Sequence, residues 1–243
     1  MHAVPMLAGM NRFAPAVLAL AALSTSALAA PRQTLRPTAN PGGVIAAEIG
    51  FAALAQEKGQ WTAFRQTAAK GAKMFAPQPV LVVDYLKNRK DPPVAVKWQP
   101  HMVWSSCDGS IAVTRGAWQR PDSVGYFITV WQRQKDGGYK WVLDQGDALD
   151  KPLAEPDSIE GVVADCPAPG QRGDHKDDLR DAKGRPLTGP QAIADSLNAT
   201  SNDRSLAWTT TVDAAGAREF TLRLRKDGAM RDVLHASVKP SAG

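Results

Sequence analysis

Apolar positions change period along the chain. Between residues 44 and 58, Ile45, Ile49, Ala52 and Ala53 recur at helical spacing, with Phe51 and Leu54 widening the stripe. This predicts a helix stopped by Gly59. Residues 61–70 place Trp61, Phe64 and Ala68 on one face and predict a second helix, ended by Gly71. Met74-Phe75-Ala76 reads as a short strand and residues 80–87 as a short helix. Beyond the Asp91-Pro92-Pro93 loop the spacing becomes strand-like, in runs at 94–106, 110–119, 124–135 and 139–146. Pro100 marks a bend or an edge in the first run. Asp108-Gly109, Pro121-Asp122 and Asp136-Gly137-Gly138 separate the runs, which predicts an antiparallel meander.

Residues 147–187 read as loop, and residues 190–198 as a short helix. Three more strand-like runs follow at 206–212, 219–225 and 230–238. In the middle one, Phe220, Leu222 and Leu224 alternate with Thr221, Arg223 and Arg225, the pattern of a half-buried strand. A meander this short carries little core of its own, so it is expected as an extension packed on the main sheet. Helices followed by a meander predict an α+β fold, with the N-terminal helices on one face of a strongly curved antiparallel sheet.

Composition narrows this picture. The chain has 243 residues, 44% of them hydrophobic and 22% charged, which excludes collagen, a long coiled coil and a mostly disordered chain. Residues 14–30 form an apolar run after Arg12 that ends in Ala27-Leu28-Ala29, the pattern of a signal peptide cut after Ala29. The domain plan is therefore a signal peptide at 1–29, a Pro/Gly linker at 30–43, a main domain at 44–147 and an extension at 148–243. A periplasmic or secreted protein with no stable membrane insertion after cleavage is expected. The net charge of +5 is small and scattered, and argues against nucleic-acid binding. In an oxidising compartment the only two cysteines, Cys107 and Cys166, are expected to pair. The competing reading is a free nucleophilic cysteine near His101.

Several words in the first meander carry a resemblance. They are Ala47-Glu48-Ile49-Gly50-Phe51 on the first helix, Trp98-Gln99-Pro100, Ser106-Cys107-Asp108-Gly109, Ile111 to Trp118, Gly125 to Trp131 and Asp136 to Asp144. Over residues 44–147 the chain resembles the nuclear-transport-factor-2-like superfamily, in its SnoaL-like or DUF4440-like bacterial branch. The resemblance implies a cone of helices wrapped by a bent sheet, with a cavity at its wide end. That superfamily includes isomerases, dehydratases, hydrolases and cyclases, and also members without enzymatic activity. None of its catalytic sets can be placed on this sequence residue by residue.

The chemistry candidates are few. An acid or imidazole in an apolar cavity can exchange protons, which singles out Asp84, His101 and Asp144. Each also has a bland reading as a cap, a strand histidine or a strand-end acid. Arg115 and Tyr126 are candidate ligand contacts, as an anion partner and a hydrogen-bond donor. Trp104 and Trp131 are candidate walls of an apolar pocket, or core. No phosphate loop, dinucleotide fingerprint or nucleophile elbow is present, so no cofactor is expected. The acidic stretch around His175 lacks a second His and any EF-hand order, so no metal is expected either. Three readings follow: a binding protein for a small, mostly apolar molecule, an acid–base lyase, isomerase or hydrolase, and an envelope interaction module that pairs as a homodimer.

Overall fold

The computed structural model describes residues 38–167 and 197–240. The signal peptide, most of the linker and the polar loop around His175 lie outside the described residues, as does all but the end of the short helix expected at 190–198.

The N-terminal elements follow the sequence closely at first. Helix α1 (Pro41–Lys58) starts at Asn40, whose side chain accepts the N–H of Gly43, and stops at Gly59, which adopts a φ of 101°. Helix α2 (Gln60–Thr67) is shorter than expected. At Ala68 the backbone turns extended, and residues that continue the apolar helical face become β1 (Ala68–Phe75). The run at 80–87 divides into β2 (Pro79–Leu81) and the single turn α3 (Val82–Tyr85). The four central strands appear as read: β3 (Lys97–Ser105), β4 (Ile111–Gln119), β5 (Val124–Arg133) and β6 (Tyr139–Leu149), each antiparallel to the next. The loop after β6 hides a further strand, β7 (Glu160–Val163), which pairs parallel with β3.

The α+β cone is not what the chain forms. The described residues are mostly β, with 48% of them in strands and 17% in helices, and the three helices among them are a minority. There are two sheets. The first has seven strands in the order β2-β1-β6-β5-β4-β3-β7, and β1 joins β6 in parallel. The second has four antiparallel strands, β8 (Asn198–Thr200), β9 (Leu206–Val212), β10 (Arg218–Lys226) and β11 (Ala229–Val238), in the order β11-β10-β9-β8. Asn198 thus opens a strand where a helix end was expected.

The physical reason lies in the C-terminal runs. Leu206, Phe220, Leu222 and Leu224 are completely buried, and Trp208 nearly so. They pack with Trp104, Val113, Ile128 and Val130 of the first sheet. The C-terminal meander is therefore a second sheet that supplies half of one core. Alternation along the central strands sends neighbouring residues to opposite faces. Val103, Ala112, Trp131 and Trp141 face a second core, shared with Val44, Phe51, Ala55 and Phe64 of α1 and α2. Cys107 and Cys166 form the expected disulfide, with their Cα atoms 5.2 Å apart.

The rotation of α1 also differs from the periodicity reading. The buried row is Val44, Glu48, Phe51 and Ala55, while Ile49 is 49% exposed. Apolar residues run most of the way round this helix, so spacing alone cannot fix its buried face. Ring packing does: Phe51 meets Phe64 and Trp98 edge-on, both at 4.8 Å between ring centroids, and stacks on Trp141.

Candidate functional site

The buried row of α1 contains a carboxylate. Glu48 has no solvent exposure, and every partner it has is a donor from the sheet facing the helix. Trp98 donates its indole N–H to Oε1 at 2.8 Å. Thr114 donates its hydroxyl to Oε2 at 2.6 Å, and the Trp131 indole N–H reaches the same oxygen at 3.0 Å. Among the described residues no cation pairs with Glu48. Burial pushes its pKa above the ordinary carboxylate value, against the pull of the three donors.

The polar chain continues through the sheet pairing. Thr114 lies opposite Thr129 in the β4–β5 register, and Thr129 lies opposite Asp144 in the β5–β6 register. The Thr129 hydroxyl donates to Asp144 Oδ2 at 2.8 Å. Both threonines are completely buried. Two carboxyl groups thus stand on the helix-facing side of the sheet, each held by the hydroxyl of a neighbouring threonine. Burial raises the Asp144 pKa to about 7, the Thr129 hydrogen bond opposes the shift, and the nearby Glu48 charge adds to it.

Asp144 differs from Glu48 in access. It lines a cleft of about 980 Å³, whose wall includes Phe64, Trp98, Trp118 and Phe127. The cleft lies where β1 leaves β6. Their last paired residues are Lys73 and Leu143, and beyond them β6 runs on to Leu149 with that edge unpaired. A proton carrier thus faces a space large enough for a small organic molecule, walled by aromatic rings and by polar groups that include Gln60, Gln145, Asp147 and Asp150.

The other candidates scatter. Asp84 is exposed on α3. His101 is the extra residue of a bulge between Pro100 and Met102, outside the cleft lining. Burial and the Arg115 charge lower its pKa, and Glu155 opposes them. Arg115 stands 5.6 Å from the Tyr126 ring centroid and does not line the cleft. Tyr126 does line it, but donates its hydroxyl to the Ser237 carbonyl at 3.2 Å. Trp131 is buried behind the cleft as a Glu48 donor, and Trp104 is core between the two sheets. Cys107 and Cys166 are both in the disulfide, so neither is a nucleophile.

Two residues of this region were not singled out by the sequence reading, and both left a signal. Glu48 interrupts a helical row of Val44, Phe51 and Ala55 at spacings of four, three and four. Arg218 precedes Phe220, Leu222 and Leu224 in the same alternating row, where an apolar residue would be expected, and it is 8% exposed.

No metal-ligating cluster of three or more His, Cys, Asp or Glu occurs among the described residues, and none of their helices is long and apolar enough to cross a membrane. No protein-family model matches the chain, and comparison with curated proteins gives no significant match.

Proposed function

We propose that this protein binds a small, mostly apolar molecule in the cleft beside β6 and presents Asp144 to it. The observation that carries this reading is Asp144 itself, a carboxyl with a pKa near 7 set in an aromatic wall. Trp61, Trp98 and Trp118 line the cleft, so bound ligand should alter intrinsic fluorescence. The test is titration of ligand-stripped protein with a panel of small apolar alcohols, ketones and lactones. Saturable, mutually competitive fluorescence changes are expected. No saturable response anywhere in the panel overturns the proposal.

One observation favours a second reading, acid–base catalysis of the lyase or isomerase type. A carboxyl that titrates near neutral pH is half-protonated under ordinary conditions, so it can both take and return a proton. In this reading Asp144 removes a proton from carbon next to a carbonyl of the bound molecule and later returns it. Glu48 and Thr129 hold its pKa and orientation. Deuterium exchange at that carbon of a bound ketone should proceed, and Asp144→Asn should slow it by about 100-fold or more. A bound ketone that exchanges no faster than in buffer sinks this second reading and leaves the first intact.

A further inference from the structure

Arg218 is the most buried cation lining the cleft. Arg218 opens β10 and points inward with the core residues of that strand. It lines the cleft, and its guanidinium carbon stands 4.5 Å from the Phe75 ring centroid. Nη1 donates to the Gly216 carbonyl at 3.4 Å and Nη2 to the Gly146 carbonyl at 3.3 Å, both long for such bonds. Nε is buried without an acceptor. Among the described residues no carboxylate lies within ion-pair distance, although Asp147 is close enough to act through its charge. A buried guanidinium without a counter-ion is costly, and such a group is normally paired or replaced by an apolar one.

The position of Arg218 relative to Asp144 gives this charge a use. Gly146, which Arg218 touches, is two residues along β6 from Asp144, about 7 Å at the usual strand rise. We infer that the cleft takes a small organic carboxylate: its carboxylate pairs with Arg218, and its apolar body lies past Asp144 against Trp98 and Phe64. This rests on the cleft being a ligand site, as proposed above, and names the class of ligand. The guanidinium fork suits a planar carboxylate, and Nη1 and Nη2, each holding one long bond to a carbonyl, keep a second N–H for the anion.

The test uses a matched pair, 4-phenylbutanoate and 4-phenylbutanamide, which differ in charge but hardly in shape. Wild-type protein should bind the acid at least about tenfold more tightly than the amide. Arg218→Met should remove that preference while still binding the amide. The cleft is also lined by Arg120 and Lys239, so the control is the double variant Arg120→Met/Lys239→Met, in which the preference should persist. Equal affinities in the wild type overturn this inference and leave the cleft reading standing. A preference that vanishes in the control but not in Arg218→Met also overturns it. If neither probe binds, the cleft reading falls and this inference falls with it. Should Arg218→Met not fold, Arg218→Lys keeps the charge without the fork, and an unchanged acid preference in it counts against carboxylate pairing through the fork.

Discussion

Asp144 and Glu48 are the same chemistry in two settings. Glu48 is sealed, with three donors fixed on its oxygens; Asp144 has one hydroxyl donor and a face on the cleft. The sealed group can orient and tune, and the open one can exchange protons with a ligand. The shift on Asp144 is also a statement about stability. Its pKa rises from 3.8 to about 7 on folding, so the native state holds this proton more tightly than the unfolded chain. The resulting stabilisation is complete below about pH 4 and is lost as pH rises through about 7. Asp144→Asn cannot ionise. Relative to wild type it should therefore gain on the order of a few kcal/mol between pH 4 and pH 8. Denaturant unfolding of both proteins at the two pH values measures this. A stability difference that stays constant with pH would mean that Asp144 titrates normally.

At the scale of elements, the central meander is creased along one line. Gly116, Phe127 and Gly146 are direct neighbours across β4, β5 and β6. A Cβ on Gly116 would lie 2.0 Å from the Gln99 carbonyl oxygen, and one on Gly146 would lie 2.1 Å from the Tyr126 carbonyl oxygen. These are main-chain atoms that cannot swing aside. The absent side chains leave room for Phe127, which lines the cleft, so the crease shapes the site. Gly116→Ala should cost more than about 2 kcal/mol, as a strain mutation in a packed sheet. Gly50 provides the contrast: nothing lies within 4 Å of its added Cβ, and it sits in a helix. Gly50→Ala should be neutral or stabilise by up to about 1 kcal/mol. Urea midpoints of the two variants give the comparison, and equal effects would refute the crease.

Across the whole molecule, the turn after β3 is tied to the second sheet. The Cys107 N–H is bonded to the Ser205 hydroxyl at 2.8 Å. Asp108 and Asp203 exchange backbone N–H to carboxylate bonds at 2.8 and 3.1 Å. Cys107 also reaches Cys166, just beyond β7, through the disulfide, which spans a sequence separation of 59. Opening that loop in the unfolded chain should cost about 4 kcal/mol in the chain-entropy account. Cys107→Ser/Cys166→Ser should therefore unfold at clearly lower denaturant concentration than the oxidised wild type, and reduced wild type should match the variant. A loss under about 1 kcal/mol would show that the hydrogen bonds and the shared core already fix this junction.

Local features were legible because each is decided by a few neighbouring residues. Two Asp-Gly turns and the Pro121-Asp122 turn set the four central strands, Gly59 set the end of α1, and the even cysteine count with an apolar leader pattern pointed to the disulfide. Asp144 could be named as an acid after an apolar strand, though not its surroundings. What the sequence left open depends on which distant surfaces meet. The face of α1 that is buried, and with it the role of Glu48, was fixed by rings 13 to 90 residues away along the chain. Most of β1 and the edge strand β7 lie in segments that read as helix and as loop, and only pairing with β6 and β3 makes them strands. The C-terminal runs read correctly as strands, yet whether they form an extension or half of a core depends on the face they cover, which alternation cannot specify. Arg218 and Asp144 share a cleft because two sheets, separate in sequence, are packed together. Period and turn chemistry act over a few residues, whereas burial is a property of the packed whole, so the sequence determined the central and C-terminal strand runs and the tertiary structure decided the remaining strands and the site.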